Sequence, residues 1–134
     1  METKKAGCIL INKDTGKIAL IYRDRQKDYS FPKGHLEMGE DYKTCAIRET
    51  AEETKRIAIL LETEPYIERY TTPKGERCVC YMYLAVDGGV SDNTSEDTHD
   101  VVWTDFNKVE ELLSYESLRV MWRTLKDTVF KQIK

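Results

Sequence analysis

The stretch GHLEMGEDYKTCAIRETAEE, residues 34–53, decides how this chain is read. It opens on Gly34, reaches Glu40 in the following turn, and ends on the run Arg48, Glu49, Thr50, Ala51, Glu52, Glu53. A helix over residues 42–54 sets Glu49, Glu52 and Glu53 at i, i+3 and i+4, on one face and a few ångströms apart. Three carboxylates that close repel one another unless a cation stands among them. Hard cations such as magnesium take oxygen ligands and commonly arrive with substrate phosphates. The pattern therefore points to a reaction and not only to a charged surface. On that reading the three acids converge on one point.

The flanks of this stretch carry the rest of the fold. Pro32 forces an extended entry, and Gly34 marks a special backbone position. Residues 37–41 form a turn whose Glu40 and Asp41 place negative charge at the positive end of the helix. Ala46, Thr50 and Ala51, flanked by Ile47 and Thr54, make a small-sided strip suited to close packing on a sheet. Upstream, residues 5–12 and 17–22 read as strands joined by hairpin chemistry at Asp14-Thr15-Gly16. Downstream, Leu60-Leu61 and residues 67–71 suggest further strands, with Pro73-Lys74-Gly75 as a turn. Residues 77–86 are the longest strand candidate, apolar on both faces and so central. Asp87-Gly88-Gly89 is expected to close it, before a polar acidic loop at 91–100 and a final strand at 101–103. Leu112 and Leu113, then Leu118, Met121, Trp122, Leu125 and Val129, give two helical segments. The expectation is an α+β fold, an α/β/α sandwich: one domain over 1–134 whose mixed sheet is flanked by the 42–54 helix and the C-terminal helices.

Composition narrows the function classes. The 134 residues are 40% hydrophobic and 34% charged, a globular balance. Lys and Arg number 21 against 24 Asp and Glu, a net charge of −3 that implies no duplex nucleic acid partner. No apolar run approaches membrane-spanning length, and the opening Met1-Glu2-Thr3-Lys4-Lys5 is no signal peptide. A soluble cytoplasmic protein without a membrane partner is expected. Cys8, Cys45, Cys78 and Cys80 each lie in an apolar or strand-like stretch and read as reduced core thiols. The interval in Cys78-Val79-Cys80 does not suit a zinc site.

Gly34, Glu40, Arg48, Glu49, Glu52 and Glu53 resemble the signature of the Nudix hydrolases: glycine, five residues, glutamate, seven residues, Arg-Glu, two residues, Glu-Glu. Glutamates on a helix usually form a solvated face, but the Gly, Glu and Arg at fixed distances argue for a site here. The resemblance implies a pyrophosphohydrolase that uses magnesium or manganese on nucleoside diphosphates linked to another moiety. By position, Glu52 and Glu53 become metal ligands, and Glu49 a ligand or the base for water. Lys33 would offer its carbonyl oxygen to the metal, and Arg48 would orient the acids and bridge toward Glu40. A further acid would come from the loop, Glu96 or Asp97. Three positions depart from the family pattern: Thr50 and Arg56 stand where apolar residues are usual, and Lys55 where a glycine ends the helix. A lysine is strained in the left-handed conformation of such a glycine, so the helix is expected to run on beyond it.

A narrower likeness is to the diadenosine tetraphosphate hydrolases. Residues 31–37 resemble their Pro-Lys-Gly-His-x-Glu entry, Tyr81 to Ala85 their aromatic strand, and Leu112 to Tyr115 with Arg119 their C-terminal segment. It implies a small-molecule polyphosphate substrate bound by Arg23, Lys33 and His35, with an adenine stacked on Tyr81 and Tyr83. Oxidised nucleotides, diphosphoinositol polyphosphates and capped RNA are the alternative substrates, and a non-catalytic nucleotide sensor is the alternative class. A monomer or weak homodimer suffices for any of these.

Overall fold

A computed structural model describes residues 2–96 and 99–133. The strands in chain order are β1 (Thr3–Asn12), β2 (Lys17–Arg23), β3 (Asp28–Ser30) and β4 (Lys33–His35), before helix α1 (Tyr42–Thr54). Then come β5 (Arg56–Leu60), β6 (Tyr66–Thr71), β7 (Arg77–Val90) and β8 (Asp100–Asp105). After a 3-10 turn the chain ends in α2 (Val109–Leu112) and α3 (Glu116–Phe130).

Among the described residues, eight strands form one mixed sheet with the central order β3-β2-β1-β7-β5. The parallel pair β1–β7 is its spine, in register from Thr3↔Cys78 to Ile11↔Val86. The other pairings are antiparallel, and both spine strands change neighbours along their length. β1 pairs with β4 at Lys5–Gly7 and with β2 at Ile11 and Asn12. β7 pairs with β6 over residues 77–82 and with β5 over 85–90.

Strand alternation divides the core into two layers. Ile9, Ile11, Ile18, Leu20, Met82 and Leu84 face α2 and α3, where Leu113, Leu118, Met121, Trp122 and Val129 are buried against them. Cys8, Leu10, Ala19, Tyr83 and Ala85 face Cys45 and Ala46 of α1. Each fully buried large apolar side chain contributes about 1.5–3 kcal/mol, so the first layer supplies most of the stability. The second is built from small side chains, which let α1 lie close to the sheet and fix the position of its polar face. All four cysteines are free and buried. Burial pushes the thiols of Cys8 and Cys45 up to about 12 and that of Cys80 up to about 11. No helix among the described residues is long and apolar enough to cross a membrane.

Two boundaries differ from the sequence reading. Asp87-Gly88-Gly89 does not close the long strand: β7 continues through it to Val90 because β5 runs alongside, with Arg56 opposite Val90. Gly88 leaves room beside it for the exposed Ile59 side chain, which a Cβ at 2.8 Å would displace. The helix does not run past Thr54 either. Lys55 takes the left-handed conformation itself, φ 59° and ψ 28°, and its N–H bonds the Ala51 carbonyl. Arg56, the neighbouring departure from the family pattern, pairs with the almost fully buried Asp87 at 3.0 Å and so joins β5 to β7.

Candidate active site

Helix α1 starts on Asp41, whose carboxylate accepts the Thr44 N–H at 2.8 Å, and this cap fixes where the turns fall. Four residues of that helix face one another as its period requires: Arg48, Glu49, Glu52 and Glu53. Arg48 is the hub. Its Nε and Nη2 donate to the two oxygens of Glu40 at 2.7 and 2.9 Å, a bidentate pair. Nη2 also donates to the His35 carbonyl at 2.9 Å, and Nη1 to Glu49 at 3.1 Å and Glu52 at 3.2 Å. The Glu40 side chain is only 8% exposed. With the Arg48 guanidinium beside it, Glu40 is held well below the usual carboxylate range, at about 2, while Arg48 is raised. The turn at 37–40 is closed by the same acid, which accepts the Glu37 N–H at 2.9 Å.

Glu53 reaches back to β4, where its Oε1 accepts the Lys33 N–H at 3.1 Å. Gly34 lies against the next acid: a Cβ on it would stand 2.2 Å from the Glu49 carboxyl carbon. Glycine is therefore needed at 34 for close approach, and any side chain there would expel Glu49. Glu49, Glu52 and Glu53 share one face, but they do not converge on a point. Among the described residues no three acidic, thiol or imidazole groups form a ready-made metal cluster. Glu49 and Glu52 turn onto Arg48 and Glu53 onto the Lys33 amide, because like charges take up the nearest N–H donors. Three carboxylates on a rigid helix, facing a glycine that leaves them room, are the oxygen donor set that a hard divalent cation takes. The residues fit such an ion.

At the C-terminal end of α1, the Lys55 ammonium donates to the carbonyls of Glu52 and Ser95, each at 2.7 Å. Glu96 follows Ser95 and is exposed. The other loop candidate, Asp97, lies outside the described residues.

Two joined cavities lead away from the helix. The inner one, about 170 Å³, is lined by Arg23, Lys33, Gly34, His35, Glu53 and His99 among others. The outer one, about 470 Å³, adds Glu68, Tyr70, Tyr115 and Ser117. Lys5, Arg23, Ser30 and Lys33 border both. Burial lowers the Lys33 ammonium's pKa, so this cation gains from an anionic partner. Arg23 is held by Asp28 through two 2.7 Å hydrogen bonds, and the Tyr115 hydroxyl donates to the same Asp28. The Lys5 ammonium donates to the Tyr70 hydroxyl at 3.1 Å.

Arg23, Lys33 and His35, selected for substrate binding, line the inner cavity. Tyr81 and Tyr83 do not. The β1–β7 register sets Tyr81 opposite Ala6 and Tyr83 opposite Cys8, on the α1 side of the sheet. Tyr83 is buried there, and Tyr42 stacks on Tyr81 at 3.8 Å between ring centroids, 12° from parallel. Besides Phe31 of the inner cavity, the aromatic residues lining the cleft are Tyr70 and Tyr115, which sequence reasoning did not select, and Lys5 was missed with them. The alternation Tyr66, Glu68, Tyr70 was visible in the strand. Which side it faced depended on pairing with β7, where Glu68 lies opposite Cys80.

The family model of the NUDIX domain matches residues 1–125. The chain belongs to the Nudix hydrolase family. Among curated relatives, the 8-oxo-(d)GTP phosphatase of Mycolicibacterium smegmatis is 31% identical over 116 residues, covering 86% of this chain and 35% of that protein. The RNA pyrophosphohydrolase of Pelagibacter ubique is 37% identical over 71 residues, covering 51% of this chain and 44% of that protein. The chain spans about a third to a half of the length of the curated relatives it matches. Among solved structures, a C. elegans Ap4A hydrolase superposes with a TM-score of 0.75 at 24% identity, covering 98% of this chain and 99% of that one. A NUDIX hydrolase from Nitrosomonas europaea gives 0.75 at 18% identity, covering 99% and 93%. At those identities the likeness is one of fold.

Proposed function

We propose that this chain is a divalent-cation-dependent pyrophosphohydrolase acting on a dinucleoside polyphosphate, such as diadenosine tetraphosphate, to give ATP and AMP. The observation that carries the reading is the make-up of the cleft: carboxylates at one end, three cations along it, two tyrosines at the other. Lys5, Arg23 and Lys33 bind successive phosphates, while Tyr70 and Tyr115 offer flat apolar faces to a base. Stacking of that kind is worth roughly 1–3 kcal/mol per base. Glu52 and Glu53 would hold magnesium or manganese, with Glu49 as a third ligand or as the base for water, and Glu96 available from the loop. Such a cation would supply an acidified water and neutralise charge on the phosphates. Arg48, pinned by Glu40, keeps Glu49 and Glu52 in place. In the reaction the water oxygen bonds to phosphorus, the P–O anhydride bond breaks in line, and Glu49 or a neighbouring carboxylate takes the proton. We read the protein as cytoplasmic, working as a single catalytic domain in a monomer or weak homodimer.

A second reading keeps the chemistry and changes the substrate to an oxidised nucleoside triphosphate or a 5′-triphosphorylated RNA. The names of the mycobacterial and Pelagibacter relatives favour it. Incubation with magnesium and each of diadenosine tetraphosphate, 8-oxo-dGTP and triphosphorylated RNA, with products resolved by chromatography, separates the two. The first reading expects ATP and AMP in equal amounts from the dinucleotide, at the highest kcat/KM of the three. A higher kcat/KM on either competitor overturns it, and no turnover of any of them restores the sensor alternative.

A further inference from the structure

We propose that Lys55 is a positioning residue, tethering the 91–96 loop to the carboxylate end of α1 so that the loop completes the cation site. The proposal rests on the reading of Glu49, Glu52 and Glu53 as cation ligands. Lys55 is one of two non-glycine residues with positive φ among the described residues. A left-handed lysine is strained by its Cβ, and Lys55 stands where a glycine usually ends the helix in the family the chain resembles. Something in the fold must offset the strain.

The offset is a three-way connection. The Lys55 N–H satisfies the Ala51 carbonyl, and its own carbonyl accepts the Ser91 N–H at 3.0 Å. Its ammonium then joins two carbonyls that belong to different elements, Glu52 of the helix and Ser95 of the loop, at 2.7 Å each. The first two bonds are backbone ones that a glycine would make equally well. The third needs the side chain, which makes it here from the left-handed backbone.

The position of the tether gives it a role in the site. One of the carbonyls belongs to Glu52 itself, and Glu53 is the next residue along the helix. The other is that of Ser95, one bond from Glu96. Inside the loop, Ser95 and Asn93 are braced in turn: the Ser95 N–H bonds the Asn93 side chain at 2.8 Å, and the Asn93 N–H the Ser91 hydroxyl at 3.1 Å. The chain then leads to His99, which lines the inner cavity with Glu53. The loop is thus held to the C-terminal end of α1 through both Ser91 and Ser95, which fixes the backbone that carries Glu96. A supporting group that orients ligands in this way typically controls metal affinity without touching the metal.

The test compares Lys55→Gly and Lys55→Met with the wild type. Glycine removes the tether and the strain together and keeps both backbone bonds, so the protein stays folded with a Tm at or above that of the wild type. Methionine removes the tether and keeps the strain. Two readouts need no substrate: amide hydrogen exchange of residues 91–96 in the metal-free protein, and Mn2+ affinity by calorimetry. Both variants should exchange these amides faster while α1 keeps its protection. Both should bind Mn2+ roughly ten-fold more weakly or worse. Lys55→Arg, which keeps a cationic donor, should restore part of the affinity. Wild-type exchange and Mn2+ affinity in Lys55→Gly would overturn the proposal. Faster exchange with unchanged Mn2+ affinity would overturn it too, leaving Lys55 as a loop staple. If the variants lose Mn2+ affinity but the wild type hydrolyses no nucleotide, the proposed function fails and the tether stands.

Discussion

Replacing Arg48 with methionine removes the one guanidinium that Glu40, Glu49 and Glu52 share, with Glu37 at 3.7 Å, and methionine keeps much of the aliphatic stem's packing. The exposures decide which regime applies. Glu40 is 8% exposed and Arg48 20%, so the pair is a desolvated one and not a surface bridge worth a few tenths of a kcal/mol. Removing one partner of such a pair costs about 3–5 kcal/mol, because the other is left charged and without its bidentate donor. The partial exposure of Arg48 argues for the low end, near 3 kcal/mol. For a chain of this size that is a Tm loss of roughly 10 °C. Calorimetry at pH 7 in a chelating buffer measures it without a cation standing in for the arginine. The companion Glu40→Gln removes the stranded charge, so the double variant should be more stable than the two single losses predict, by about 1–3 kcal/mol. A Tm loss under about 3 °C, or additive single losses, would refute the reasoning that Arg48 and Glu40 organise the turn and the helix as a unit.

Two further outcomes follow from the same geometry. Glu40 is about 2 when folded against an ordinary value of 4.5, so its contribution is complete above pH 4.5 and is lost as pH falls toward 2. Thermal stability of the wild type should therefore fall more steeply across that window than that of Glu40→Gln, and parallel curves would contradict the assignment. Substituting Tyr70 and Tyr115 together with alanine should raise KM for the dinucleotide several-fold and change kcat little, since stacking far from the reacting phosphorus contributes uniform binding. A loss confined to kcat would place those rings elsewhere in the reaction.

The parts of this molecule that local spacing determines were legible in advance. The shared face of Glu49, Glu52 and Glu53 and the reach of Arg48 to Glu40 follow from a 3.6-residue period, and the helix start at Tyr42 from its Asp41 cap. The buried thiols and the central position of the long strand follow from apolar patterning. What could not be read were features set by pairing between distant strands. Alternation showed that Tyr81 and Tyr83 share a face, but only the register with Ala6 and Cys8 shows that the face is turned toward α1. Tyr70 and Lys5 meet across β6, β7 and β1, 65 positions apart in the chain. Lys55 was misjudged for a different reason. Backbone strain argued against a left-handed lysine, and the tether to Glu52 and Ser95 that offsets it has no signature in the local sequence.

The carboxylate site is tested most directly by following diadenosine tetraphosphate hydrolysis for the wild type and Glu53→Gln across a magnesium titration, with ATP and AMP quantified. Glutamine keeps the shape and the bond from the Lys33 amide while removing a charged oxygen ligand, so the fold should survive. Magnesium-dependent release of ATP and AMP by the wild type is expected. For Glu53→Gln at saturating magnesium the rate should be roughly a hundred-fold or more lower, more than loss of a residue that only supports a ligand costs. An unchanged rate for Glu53→Gln, or wild-type turnover that persists in excess chelator, would contradict this reading of the site.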